Sequence, residues 1–193
     1  MIIDEIITVD VLEQPSEEQK KQKADLASTH YQDNLYYHRH GKNLLVVCKD
    51  DETVFGYVDC IAYQNAAFSQ IPIFIVPHNL YSWANDHGKT ALSLIKAVIH
   101  LANMPVLGDL ELTPASKKFL KNQIAGGTLR ARTFNLKNGD VTPYDTSIWT
   151  HDDNFRVLLL DQRFGTPISG SHQLMESTWN YLKLQDRLSS SLG

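Results

Sequence analysis

IPIFIVPHNLYSWANDHGKTALSLIKAVIHLAN, residues 71–103, is the stretch around which the rest of the chain is read. A short apolar run reaches Pro77, a polar stretch follows, and an apolar run with helical spacing begins at the GKT of residues 88–90. A strand that empties through a loop onto a helix start presents unpaired backbone N–H groups and the positive end of the helix dipole. Anions bind at such a helix start.

The chain has 193 residues, 42% hydrophobic and 21% charged, which suffices for one sizeable core. A net charge of −4 and a pI near 6.0 disfavour nucleic acid as the partner, because phosphate neutralisation needs clustered Lys and Arg. The opening MIIDEIITVDVLEQ alternates apolar residues with acids, unlike a signal peptide, and no stretch reaches the ~20 apolar residues of a membrane span. A cytoplasmic protein with no membrane contact is expected, and a homo-oligomer is compatible with these features. Cys48 and Cys60 fall in neighbouring strands joined by the turn DDE, out of disulfide register, so two free thiols are expected.

In chain order, residues 2–12 read as a strand. Pro15, Ser16, Glu17 and Glu18 then announce a helix running to about residue 29, whose EEQKKQK face reads as solvated. Residues 31–42, YQDNLYYHRHGK, are rich in rings and read as a loop or strand edge. His30, His38 and His40 raise the question of a metal, yet His-x-His needs a strand to put both rings on one face and a third ligand nearby, and the residue types from Tyr31 to His40 suit a protein contact. Strands are expected at 44–49 and 53–63. In the second, Asp59 shares a face with Phe55, Tyr57, Ile61 and Tyr63, and a carboxylate there must be paired, hydrogen-bonded or raised in pKa, which makes it a general-base candidate. Further strands are expected at 107–113, 128–136 and 154–162, and helices at 115–124, ended by Gly126 and Gly127, and at 172–188. His151, Asp152 and Asp153 read as turn formers and caps rather than as metal ligands.

The GKT triplet does not make a phosphate-binding P-loop, since GxxxxGK[ST] would need glycine where Trp83 stands. The order of elements instead resembles the GNAT superfamily of acyl-CoA N-acyltransferases over residues 2–162. IVP at 75–77 resembles the family's central strand end, HGKTA at 87–91 its pyrophosphate loop, and LELTPASKKFLKNQIAGG its next strand and helix. The resemblance implies an α/β (α+β) fold with a mixed, mostly antiparallel sheet of six to seven strands flanked by helices. Residues 1–165 would form that domain, and residues 166–193 a helical extension with a disordered end.

The same resemblance implies acetyl-CoA held by Ile75, Val76, His87, Gly88, Lys89, Thr90 and Ala91, and transfer of its acetyl group to an amine of a protein, small molecule or nucleobase. Asp59 or His78 would act as base through water and Ser116 as proton donor. The chain departs from the family pattern in four places: His87 replaces Arg or Gln, Thr90 replaces Gly, residues 78–86 lengthen the loop, and Asn122 stands at the position of the tyrosine that protonates the leaving thiolate. Small divergent members occur in bacteriophages and act on host proteins or DNA, which the resemblance suggests for this chain. Two readings follow: a divergent acyltransferase, and a catalytically inactive binding protein that contacts a partner through Tyr81, Trp83 and the ring-rich segment from Tyr31 to His40.

Overall fold

A computed structural model describes residues 14–68, 70–108, 114–146 and 155–160. The expected strand at 2–12, the helix at 172–188, the extension 166–193 and the His151, Asp152 and Asp153 cluster lie outside those residues. Within them, three helices flank one sheet of nine strands, in the order β1-β2-β3-β4-β5-β6-β9-β7-β8. The architecture is α+β and mostly antiparallel, with more strands than the sequence pattern predicts. The added strands are short: the ring-rich segment folds into a hairpin, β1 (Thr29–Gln32) and β2 (Leu35–His40), and residues 141–143 form β8 (Val141–Pro143).

Helix α1 (Glu17–Leu26) begins as the sequence predicts. Ser16 Oγ accepts from the Gln19 amide at 3.2 Å, while Gln19 Oε1 accepts from the Ser16 amide at 2.7 Å, a reciprocal cap that satisfies two orphan donors. No residue of α1 is buried. The hairpin β3 (Asn43–Lys49) and β4 (Val54–Gln64) follows. A bulge between Cys48 and Lys49 puts Cys48 opposite Gly56, one residue beyond the Phe55 that a tight turn at residues 50–52 would give, while Cys60 lies opposite Leu44. Both cysteines are free thiols.

The central strand corrects the sequence reading. Strand β5 (Ile73–Ser82) continues through His78, Asn79, Leu80 and Tyr81, which were expected to form an enlarged loop. Pro77 is accommodated because a bulge falls beside it: Asp59 pairs with Asn79 and Cys60 with Pro77, leaving His78 as the extra residue. Only residues 83–88 then connect β5 to α2 (Lys89–Ala102). Helix α2 buries Leu94, Ile95, Val98, Ile99 and Ala102 against one face of the sheet. Close approach of β4 to β5 requires glycine at position 56, where a Cβ would lie 2.5 Å from the Tyr81 carbonyl oxygen and 3.2 Å from Leu94.

Strand β6 (Val106–Leu107) runs parallel to β5, meeting it at Ile75, and is otherwise flanked by β9 (Phe155–Leu160). Residues 109–113, expected to extend this strand, lie outside the described residues. Helix α3 (Pro114–Ala125) adds Leu120 to the α2 side of the core and ends at Gly126 and Gly127, the latter at φ 72°, as the glycine pair predicts. Strand β7 (Arg130–Asn135) pairs with β8 on one side and β9 on the other. The opposite face of the sheet carries two smaller apolar clusters. One gathers Phe68, Phe74, Val76 and Phe134; the other gathers Ala27, Leu45, Val47 and Tyr57 beneath α1.

Candidate functional site

Two places on this frame hold the residues that the sequence singles out. The first is the start of α2. Gly88 is its N-cap at φ 82°, a left-handed conformation that favours glycine, and His87 shares the left-handed region at φ 57°. Phe119 of α3 packs so closely that a Cβ on Gly88 would lie 2.8 Å from its ring. Lys89 and His87 are exposed, Thr90 is buried and Ala91 is half-buried.

An anion does sit at this helix start, and it belongs to the chain itself. Asp86 Oδ1 accepts from the Gly88 amide at 3.1 Å, and Oδ2 accepts from the Thr90 amide at 2.8 Å and the Thr90 hydroxyl at 2.7 Å. The Asp86 carbonyl also accepts from the Lys89 amide at 3.3 Å. The Thr90 hydroxyl, followed by the amides of Thr90, Gly88 and Lys89, holds the Asp86 carboxyl below its ordinary value against a smaller opposing effect of desolvation. Cys48, at the nearby end of β3, has its thiol pushed up by burial and then by the Asp86 charge, against the lowering effect of a hydrogen bond with Thr90.

The second place lies on the opposite face of the sheet, between the two smaller clusters. The bulge turns both His78 and Asn79 towards the α1 side. His78 Nε2 lies 2.7 Å from the Tyr63 hydroxyl, with the two rings 5.9 Å apart. Burial lowers the His78 pKa, while the Asp59 charge pulls it the other way, so the ring favours its neutral form near pH 7.

Asp59 is paired, one of the outcomes its position allows. Lys23 of α1 donates to its carboxylate, with Nζ 2.8 Å from Oδ1 and 2.8 Å from Oδ2. The same ammonium lies 5.7 Å from the centre of the Tyr57 ring. Burial, then Asp59 and Tyr81, push the Tyr57 phenol up to about 12. Between α1 and the β4–β5 strands is a pocket of about 390 Å³, bordered by Gln19, Gln22, Lys23, Tyr57, Asp59 and Asn79 among others.

Asp59 and His78 therefore share a face and an electrostatic environment, whereas residues 87–91 cap a helix that packs on the other face. Ile75 and Val76 are buried in the sheet, with Ile75 facing the α2 cluster and Val76 the opposite one. The Ile75 amide donates to the Pro105 carbonyl at 2.9 Å. Ser116 lies in the first turn of α3, three residues before the Phe119 that packs on Gly88.

Tyr81 and Trp83 pack beneath α1. Their rings stack 5.9 Å apart at 4°, both approach Tyr57, and Lys20 lies 4.3 Å above the Trp83 ring. Between Tyr31 and His40, several rings are similarly engaged. Tyr31 bonds His100 of α2, Tyr36 lies beneath Lys49, and His38 stacks on His40 with centroids 6.5 Å apart. No group of three His, Cys, Asp or Glu suited to a metal occurs among the described residues.

Sequence reasoning missed Lys23 and Tyr63 as site residues. Lys23 was hidden in a charge-rich helix face, although the demand that Asp59 be paired pointed to some cation. Tyr63 shares the alternating face of Asp59, but only the bulge brings His78 to it. Compared with known proteins, the chain matches no family model and no curated protein significantly. Among the described residues, no helix is long and apolar enough to cross a membrane.

Proposed function

We propose that the chain is a catalytically inactive binding protein built on an acyltransferase-like sheet, with its recognition surface on the face that carries α1. The observation that carries this reading is the Asp86 carboxylate at the start of α2. A pyrophosphate bound there would have to evict Asp86 from two amides and a hydroxyl, or share their donors with it at the cost of like-charge repulsion. The donor set of residues 87–91 thus fits an anion, but its own side chain fills that role, and acetyl-CoA does not fit it in this arrangement.

The likeness to the acyltransferase architecture is one of element order and local pattern, within which β5 meets a parallel β6 across α2. The alternative is acyl transfer from acetyl-CoA to an amine. It is favoured by one observation, the neutral-leaning His78 imidazole at the bulge beside Asp59. Calorimetry on the full chain with acetyl-CoA and desulfo-CoA separates the two. The binding reading expects neither heat nor a thermal shift at millimolar ligand, and measurable binding of either compound would overturn it.

A further inference from the structure

We infer that the pocket between α1 and the β4–β5 strands is a binding site for a small zwitterion whose ammonium and carboxylate lie close together, as in a free α-amino acid. Its wall carries one charge of each sign, Lys23 and Asp59, in direct contact and only partly exposed, with side chains 32% and 24% accessible. A monocation approaching Asp59 meets Lys23, and a monoanion approaching Lys23 meets Asp59. A ligand bearing both charges avoids either conflict, because its ammonium can face Asp59 while its carboxylate faces Lys23.

The hydrogen-bonding capacity of the pair allows this without breaking it. A carboxylate offers about four acceptor positions and an ammonium three donors, so each can take a ligand group and keep its present partner. The Tyr57 ring, already a surface for the Lys23 ammonium, borders the same space. Gln19 and Gln22 from α1 and Asn79 from the bulged strand add carboxamides, which donate and accept alike and suit a polar side chain on the ligand. The volume, about 390 Å³, falls in the usual range for small-ligand pockets.

Helix and strand residues place these groups. Gln19 and Lys23 are one helical turn apart on α1, with Gln22 beside them, and Asn79 is turned into the pocket by the extra residue at His78. The inference names a ligand class for the face assigned above to recognition, but its measurement involves no acyl-CoA, so either reading can fail alone.

The test is calorimetry and thermal shift on the full chain with the standard α-amino acids taken singly, and with propylammonium and butyrate as single-charge controls. At least one amino acid should bind, and each control should bind at least about tenfold more weakly. Lys23→Met and Asp59→Asn should each weaken the amino acid by about tenfold or more, with circular dichroism confirming the fold. If either variant fails to fold, Asn79→Ala supplies the comparison and should weaken binding without altering the spectrum. Absence of binding by every amino acid overturns the inference. So does propylammonium binding as tightly as the best zwitterion, or affinity unchanged in the folded variants.

Discussion

At Asp86 one carboxylate replaces the solvent or ligand that a helix start otherwise recruits. Asp86→Ala should cost about 1 kcal/mol of stability, the usual effect of removing a side-chain cap, measured as a lower denaturant midpoint at unchanged m-value. The sign of its pH dependence follows from the direction of the shift. The folded carboxyl releases its proton more readily than the unfolded one, so its stabilisation is complete above the ordinary value of 3.8 and is lost as pH falls through the lower folded value. Denaturation below pH 4 should therefore be less steep in Asp86→Asn than in the parent. His78 acts in the same direction at higher pH: burial lowers its pKa, so folding loses support as pH falls below the usual histidine range, near 6.5. Stability measured between pH 7 and pH 5 should fall less in His78→Gln than in the parent.

The helices differ in what attaches them. Helix α2 is held by buried aliphatic side chains, and Leu94→Ala at a fully buried position should cost about 3 kcal/mol, read as a lower denaturant midpoint. Helix α1 buries none of its residues and is held by the Lys23–Asp59 pair, by Lys20 over Trp83 and by Lys49 donating to the Ala24 carbonyl. Charge-based contacts weaken with screening, so raising salt from ~0.05 M to ~1 M should speed amide exchange in α1 while leaving the centre of α2 protected. Equal protection of the two helices at high salt would mean that apolar packing carries α1. Much of this was legible in sequence, for reasons that differ by element. Ser16 ahead of Glu17 and Glu18, and Gly88 ahead of an apolar run, mark helix starts because caps are local. The extent of β5 was not legible, because Pro77 and the polar residues after it carry loop signals. It takes the pairing of Tyr57 with Tyr81 and of Asp59 with Asn79 to keep them extended.

For the molecule as a whole, alternation in residues 44–63 sufficed to predict the β3–β4 hairpin and the separation of the two thiols, though not the bulge that shifts the pairing by one residue. Cys60 is 1% exposed and Cys48 has its thiol raised by burial and neighbouring acids, so Ellman's reagent should react slowly with the native protein and rapidly in guanidinium. The candidate site was only half legible. Asp59 and His78 could be named from residue type, but their placement on one face, and the arrival of Lys23 from α1, depend on tertiary packing and on a bulge that local pattern does not encode. The acidic loop residue that fills the start of α2 was visible as a letter and not as a ligand, since nothing in NDHGKT reveals where a carboxylate points.

Strand β9 lies between β6 and β7, although it is the last of the nine strands among the described residues. During synthesis, β1 through β5 and α2 can associate as they emerge, because each antiparallel neighbour follows the one before it. Among the described residues, the β7–β8 hairpin has no partner in the sheet until residues 155–160 appear, and β6 waits with one edge bare. A chain stopped shortly before residue 155 would therefore carry a finished half-sheet and a loose hairpin, with Val106 and Leu107 offering an open edge to other chains. The arrival of one late segment thus decides when the bare edge of β6 is paired.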